Sequence, residues 1–130
     1  MAGRDVIGLS QTGSGKTAAF VVPFLARLGS LFSTAPRSPI ALFLAPTREL
    51  VAQTRAVFAS LSAGTTMVNG HAPHVVTVVG GTSIAEQCAS LARRVDVVFA
   101  TPGRLLHLLQ AGAVSLLQYV TGFVLVWWQH

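Results

Sequence analysis

The sequence predicts an α/β fold in which a parallel sheet is flanked by helices. Short β-branched or apolar runs alternate with segments of helical periodicity, and glycine, proline or threonine turns separate them. The strand-like runs are mostly apolar and show no regular polar alternation, which is typical of parallel strands that helices cover on both faces. Repeated strand, turn and helix units favour right-handed crossovers, so we expect ligands at the carboxyl ends of the strands.

The periodicity predicts five strands and four helices in alternation. The β-branched and apolar runs predict strands from Asp5 to Leu9, Ile40 to Ala45, His74 to Val79, Asp96 to Ala100 and Phe123 to Val126. The helical patterns run from Lys16 to Leu28, Arg48 to Leu61, Ser83 to Arg93 and Gly103 to Gln110. Pro23 is expected to kink the first helix. Clusters of glycine, serine and proline predict loops at Gly29 to Pro39 and Ser62 to Pro73.

Length and composition indicate one globular domain over residues 1–130. Apolar residues make up 52% of the chain and charged residues 10%, a balance that excludes disorder. No apolar stretch approaches the roughly 18 residues that span a bilayer, and the start "MAGRDVIG" lacks the features of a secretory signal. We therefore expect a soluble intracellular protein with no membrane partner, in a cytoplasmic or nuclear compartment that the sequence does not distinguish.

The net charge of +5 comes almost entirely from arginine, because the chain has eight arginines, one lysine and four acids. Such a charge suits a phosphate-rich partner. Arg93 and Arg94 could instead solvate a helix end. Cys88 is the sole cysteine, so we expect an inert packing residue rather than a disulfide or a zinc cluster. The histidines lack metal-ligand spacing.

A phosphate-binding turn is predicted between the first strand and the first helix, at "SQTGSGKT". Gly13 and Gly15 allow successive backbone N–H groups to point at phosphate oxygens, and the helix N-terminus adds partial positive charge. Lys16 can reach the β and γ phosphates of ATP, and the Thr17 hydroxyl can coordinate Mg²⁺. Ser10 stands where the strict pattern has glycine. The predicted nucleotide-binding residues are Gln11, Thr12, Gly13, Ser14, Gly15, Lys16 and Thr17.

Four segments together resemble the DEAD-box family of ATP-dependent RNA helicases. "GRDVIGLSQTGSGKTAAFVVPFL" is similar to the family's first motif region, "APTREL" to motif Ia, Gly80 and Gly81 to its glycine doublet, and "TPGR" to motif Ib. The four occur in the family's order, and the resemblance extends from Gly3 to about Val126. It implies a RecA-like P-loop NTPase domain that uses ATP and Mg²⁺ and binds RNA without reading its sequence.

The residue types in motifs Ia, GG and Ib suit an RNA backbone. Arginine forks and threonine hydroxyls bind phosphate, and glycines allow close approach of backbone amides. The predicted RNA-binding residues are Pro46, Thr47, Arg48, Gly80, Gly81, Thr101, Pro102, Gly103 and Arg104. A purely structural alternative stays open, in which the prolines end strands, Arg48 pairs with Glu49 or Glu86, and Arg104 caps a helix.

The resemblance departs from the family at the end of the strand "GFVLV". Family members present Asp-Glu-Ala-Asp there, to hold the Mg²⁺ shell and position the attacking water. This chain instead has Trp127, Trp128, Gln129 and His130. Its acids are Asp5, Glu49, Glu86 and Asp96. Because Asp5 and Asp96 belong to the amino ends of predicted strands and Glu49 to a helix start, we assign no catalytic residue and expect hydrolysis and unwinding to be lost.

We therefore interpret the chain as an incomplete first helicase domain, cut short at both ends. The abrupt change after Val126 suggests a frame change, a retained intron or a gene-model error. Two alternatives stay open. The chain could be a non-catalytic product that binds RNA or a partner protein, or a truncated chain that does not fold stably because its sheet edge and apolar faces are uncovered.

Overall fold

Strands and helices alternate along the chain in a computed structural model that describes residues 6–8, 11, 15–31, 39–64, 70–112 and 122–125. The helices are α1 (Lys16–Leu31), α2 (Arg48–Ser62), α3 (Ile84–Leu91) and α4 (Pro102–Gln110). The strands are β1 (Ala41–Leu44), β2 (Val75–Val78), β3 (Val97–Ala100) and β4 (Gly122–Leu125). Among the described helices, none is long and apolar enough to cross a membrane.

The four strands form one parallel sheet in the order β2-β3-β1-β4. Val97 of β3 is paired with Ala41 of β1 on one side and with Val75 of β2 on the other. All residues of β3 are buried, which explains why its sequence shows no polar alternation. The predicted α/β class with a parallel sheet and flanking helices is confirmed.

Two apolar clusters cover the two faces of the sheet. Leu42 and Val98 contribute to one cluster, with Leu105 and Leu108 of α4. Phe43 and Phe99 contribute to the other, where their rings stack at a centroid distance of 4.6 Å. Adjacent residues of each strand therefore enter opposite clusters, as the strand period of two requires. The sheet is thus fixed from both sides, and its carboxyl edge is held in place.

The predicted strand from Asp5 to Leu9 is wrong over residues 6–8, the part of it that the structure describes. These residues belong to no strand, and the side chains of Val6 and Ile7 are 88% and 91% exposed. The β-branched pair predicted a strand on local propensity alone. A strand also needs a neighbouring ladder and buried side chains, and neither is present among the described residues.

The first helix is three residues longer than predicted. It continues to Leu31, so the loop predicted from Gly29 begins later, and it runs through Pro23 without ending. A glycine inside a helix costs about 1 kcal/mol relative to alanine. Packing outweighs that preference here, because α1 packs along α2 and the ring of Phe24 lies edge-on to Phe43 at 5.5 Å.

The other described elements begin and end within about two residues of their predicted limits. For example, β4 starts at Gly122, one residue earlier than predicted. Local chemistry sets several of these limits. Ser83 caps α3 by accepting a hydrogen bond from the Glu86 amide, and Pro102 occupies the first turn of α4, where its missing N–H costs nothing. Val126 and the four residues after it lie outside the described residues.

Candidate functional site

Three predicted RNA-binding segments lie side by side at the carboxyl edge of the sheet. Each follows a parallel strand: Pro46–Arg48 follows β1, Gly80–Gly81 follows β2, and Thr101–Arg104 follows β3. Backbone hydrogen bonds join the strand ends, from Ala45 N to Ala100 O at 3.1 Å and from Thr101 N to Val78 O at 3.0 Å. The fold therefore brings together residues of three segments that are separated by up to 58 positions in the sequence.

Arg48 contacts the glycine doublet directly. Its Nη1 donates a hydrogen bond to the Gly80 carbonyl at 3.4 Å, and the structural alternative of a pair with Glu49 or Glu86 is not what the structure shows. Gly81 has φ +82°, and a Cβ atom built on it would lie 2.5 Å from Arg48 Nη1. Glycine is thus favoured at position 81 by the backbone conformation, and a side chain there would displace the Arg48 guanidinium from its present place.

Arg104 is anchored to the same loop from the other side. Its Nη1 donates to the Thr82 carbonyl at 2.8 Å and to Gln87 Oε1 at 3.2 Å. Gln87 in turn donates from Nε2 to the Val79 carbonyl at 2.8 Å and to the Thr82 hydroxyl. The loop after β2 therefore lies between two guanidinium groups, each held by a backbone carbonyl.

The two predicted threonines begin the helices. Thr47 is the N-cap of α2, and its Oγ1 accepts a hydrogen bond from the Leu50 amide at 3.2 Å. Thr101 is the N-cap of α4, and its side chain makes no capping bond. Capping explains why threonine suits position 47.

The predicted phosphate turn is described in part. Thr12, Gly13 and Ser14 lie outside the described residues. Gln11 is exposed, Gly15 has φ +79°, and Lys16 Nζ donates to the Gln11 carbonyl at 2.8 Å. That bond brings the first and last parts of the turn together. Lys16 and Thr17 occupy the first turn of α1, where an anion is favoured, so this part of the chain suits a nucleotide phosphate.

Three cations lie against the usual helix-dipole preference, although α2 and α3 each carry an acid in the first turn. Lys16, Arg48 and Arg104 all lie in first turns, where the dipole is positive and a cation is disfavoured. The first turns of α1 and α4 contain no acid, and the last turns of α1, α2 and α3 contain no base. This arrangement costs folding energy and favours bound anions.

The described carboxylates do not form a metal site. Glu49 lies in the first turn of α2, where its own backbone N–H and the Thr47 hydroxyl hold the pKa of its carboxyl below the ordinary value. Asp96 lies at the opposite edge of the sheet, where it accepts from the His74 amide. No three His, Cys, Asp or Glu residues within the described ranges could hold a metal. Thr17 is thus the one predicted Mg²⁺ ligand that the structure describes.

Sequence reasoning missed Gln87. A signal for it was present, because Ile84, Gln87, Cys88 and Leu91 lie at helical spacing on one face of α3. A buried polar residue within such an apolar stripe needs hydrogen-bond partners. Gln87 is 6% exposed and finds them in the loop after β2 and in Arg104.

A parallel sheet with a phosphate turn before its first described helix and basic loops at its carboxyl edge defines the class of RecA-like P-loop domains. Comparison with known families narrows that class, because a sequence model of the DEAD/DEAH box helicases matches residues 1–125. The chain belongs to the DEAD/DEAH box helicase family.

The relatives include two eukaryotic helicases. The chain is 42% identical over 120 residues to ATP-dependent RNA helicase ddx54 of Dictyostelium discoideum, covering 91% of this chain and 10% of that protein. It is 46% identical over 106 residues to ATP-dependent RNA helicase dbp10 of Schizosaccharomyces pombe, covering 82% and 12% respectively. The chain thus spans about a tenth of the length of the curated relatives it matches.

Solved structures agree with the fold. The crystal structure of the yeast DEAD-box splicing factor Prp28 superposes with a TM-score of 0.80 at 37% identity, covering 94% of this chain and 28% of that one. The RNA helicase Prp28 from Chaetomium thermophilum bound to ADP gives a TM-score of 0.73 at 34% identity, with the same coverage. A DEAD box protein from Methanococcus jannaschii gives 0.70 at 31% identity, covering 89% of this chain and 28% of that one.

Proposed function

We propose that this chain is part of the first RecA-like domain of a DEAD-box RNA helicase and that it binds nucleotide phosphates and the RNA backbone. The observation that carries the proposal is the cation in the first turn of three helices, Lys16, Arg48 and Arg104, two of which directly follow strands of the sheet. The names of the relatives, which are ATP-dependent RNA helicases, support the same activity.

In this proposal the chain binds the sugar and phosphate groups of RNA and does not contact the bases. Arg48 and Arg104 supply guanidinium donors, and the exposed Gly81 and Gly103 leave the backbone accessible. Such groups bind phosphate and sugar, which are the same for every sequence. Fluorescence anisotropy with a labelled oligouridine tests this: Arg48→Ala and Arg104→Ala should each weaken binding and each lower the salt slope by roughly 0.7. Equal affinity of both variants and the parent chain would refute the proposed RNA edge.

ATP is held by Gln11 to Thr17, with Lys16 at the β and γ phosphates and the Thr17 hydroxyl on Mg²⁺. A structural relative, Prp28 from Chaetomium thermophilum, was crystallised with ADP, which supports nucleotide binding by this chain. Thermal unfolding with and without Mg²⁺ and ATP is the test. We expect nucleotide to raise the melting temperature, Lys16→Ala to abolish that rise, and Arg27→Ala, on the exposed side of α1, to preserve it.

We further propose that this chain hydrolyses ATP poorly. The residues after Val126 are Trp127, Trp128, Gln129 and His130, and none supplies a carboxylate. Loss of one electrostatic stabiliser typically costs roughly 10² to 10³ in rate. Replacing the four residues by Asp-Glu-Ala-Asp should increase the Mg²⁺-dependent part of ATP affinity. No change on replacement would contradict this account of the Mg²⁺ site.

The second candidate is a non-catalytic product that acts by binding RNA or a protein partner. The anchored arginines favour it, because Arg48 and Arg104 are held by hydrogen bonds to backbone carbonyls of this chain. A cooperative melt that nucleotide leaves unchanged, together with RNA binding that Arg48→Ala and Arg104→Ala abolish, would support this second function. Aggregation without a transition would instead show that the chain does not fold stably.

A further inference from the structure

Gln87 is a buried amide with an arginine and a loop as its partners. It is one of three buried polar side chains among the described residues, with Thr54 and Asp96. Its Nε2 faces the Val79 carbonyl at 2.8 Å, and its Oε1 faces Arg104 Nη1 at 3.2 Å. A carbonyl accepts and a guanidinium donates, so only this orientation of the amide satisfies both contacts.

The same contacts define which edge of Arg104 is left for a ligand. Nη1 donates to Thr82 O and Gln87 Oε1, which uses both of its N–H groups. Within the described residues, Nε and Nη2 of Arg104 make no hydrogen bond. These two nitrogens form the fork that binds phosphate in a bidentate manner. The anchored edge therefore fixes the direction of the free edge.

An anchor is needed at this position for an electrostatic reason. Arg104 lies in the first turn of α4, which contains no acid, so the helix dipole disfavours its charge there. Arginine has a long side chain with many rotamers, and an unanchored guanidinium would move away from the positive helix end. Gln87 and Thr82 supply neutral acceptors that hold it without cancelling the charge that a phosphate requires.

We propose that Gln87 is a positioning residue that joins the loop from Gly80 to Thr82 with Arg104 into one RNA-phosphate-binding unit. The proposal rests on the proposed RNA-binding function. Gln87 itself is buried and does not touch RNA. It acts by fixing the guanidinium fork of Arg104 relative to the glycine doublet, so that one phosphate meets both.

The experiment is a double-mutant cycle on the full chain. Binding of a fluorescein-labelled oligouridine is measured for the parent chain, Gln87→Met, Arg104→Ala and the combined variant. Methionine is close to glutamine in length and flexibility and removes the amide. We expect Gln87→Met to weaken binding roughly three- to tenfold in the parent chain and to have little effect once Arg104 is alanine. Gln110→Met, at an exposed position at the end of α4, is the matched control and should leave affinity unchanged.

A second readout separates positioning from RNA binding. In ¹⁵N NMR spectra without RNA, the Arg104 Nε–Hε signal, assigned from Arg104→Ala, should shift and become more mobile in Gln87→Met but not in Gln110→Met. Additive effects in the cycle, or an unmoved Arg104 signal, would overturn the role of Gln87 alone. Absence of oligouridine binding by the parent chain, with the NMR change still present, would overturn the RNA function and leave the anchor standing.

Discussion

A methyl group at Gly81 would lie 2.5 Å from Nη1 of Arg48, so the space that a side chain would take at position 81 is filled by the guanidinium. Arg48 and Gly81 are 33 positions apart in the sequence, yet the guanidinium of one occupies the space beside the Cα atom of the other. A side chain at position 81 would therefore displace the Arg48 guanidinium, and this dependence can be measured.

We predict that Gly81→Ala weakens RNA binding about as much as Arg48→Ala does. The methyl group displaces the guanidinium, and a non-glycine residue at φ +82° costs roughly 1–2 kcal/mol. Titration of a labelled oligouridine should show roughly tenfold weaker binding for either variant and little further loss in the combination. Gly112→Ala is the control, because φ there is +66° but nothing lies within 4 Å of an added Cβ. It should lose stability and keep RNA affinity; equal RNA losses at both glycines would contradict the steric account.

Asp96 is expected to stabilise the amino edge of the sheet. The residue is 5% exposed, and its Oδ2 accepts a hydrogen bond from the His74 amide at 2.8 Å. Arg94 Nε lies 3.4 Å from its Oδ1. Asp96→Ala should lower the free energy of unfolding by about 1–3 kcal/mol, because the His74 N–H loses its acceptor. Asp96→Asn keeps an acceptor oxygen and should lose less than about 1 kcal/mol, since Arg94 is largely exposed. Denaturant unfolding checks both, and an equal loss for the two variants would assign the effect to the ion pair.

Removal of the Thr77 hydroxyl is expected to stabilise the folded chain. Oγ1 of Thr77 is buried and has no hydrogen-bond partner in the described part of the chain. The residue lines a cavity of about 420 Å³ between α2 and β2. Thr77→Val removes the unpaired polar atom at nearly constant shape and should raise the free energy of unfolding by up to about 1 kcal/mol. Thr77→Ser, which keeps the hydroxyl and loses a methyl, should lower it. A destabilised valine variant would mean that the hydroxyl has a partner such as water.

Glu49, at the start of α2, is expected to make the free energy of unfolding depend on pH. Its own backbone N–H and the Thr47 hydroxyl depress the carboxyl pKa in the folded chain. A depressed folded pKa stabilises the fold above the unfolded pKa, about 4.3, and this stability is lost as pH falls through the folded pKa. The difference in unfolding free energy between the parent chain and Glu49→Gln should therefore shrink as the solution is acidified. A difference that stays constant between about pH 7 and pH 2 would show that Glu49 does not titrate differently on folding.

The sequence predicts most of this fold because its strands are short and mostly apolar and its helices begin at recognisable residues. Ser83, Thr47 and Pro102 mark three helix starts through local chemistry alone. The strand from Asp5 to Leu9 was wrong over residues 6–8, because its local propensity carries no information about a neighbouring strand. The segments that carry the candidate site could be named from motifs, whereas the contact between Arg104 and Gln87 depends on how α3 and α4 meet across the loop.

Hydrogen bonds at the amino edge of the sheet help to fix the position of the loops at the carboxyl edge. Asp96 binds the start of β2 through His74, and the Thr101 amide binds the Val78 carbonyl at the far end of that strand. The length of β2 between these two hydrogen bonds therefore determines where the loops after β2 and β3 begin relative to each other. One inserted residue within β2 would lift Gly80 by about 3.3 Å and turn its neighbours to the opposite face. We therefore expect residues 75–78 to tolerate exchanges among β-branched side chains and to tolerate no change in length.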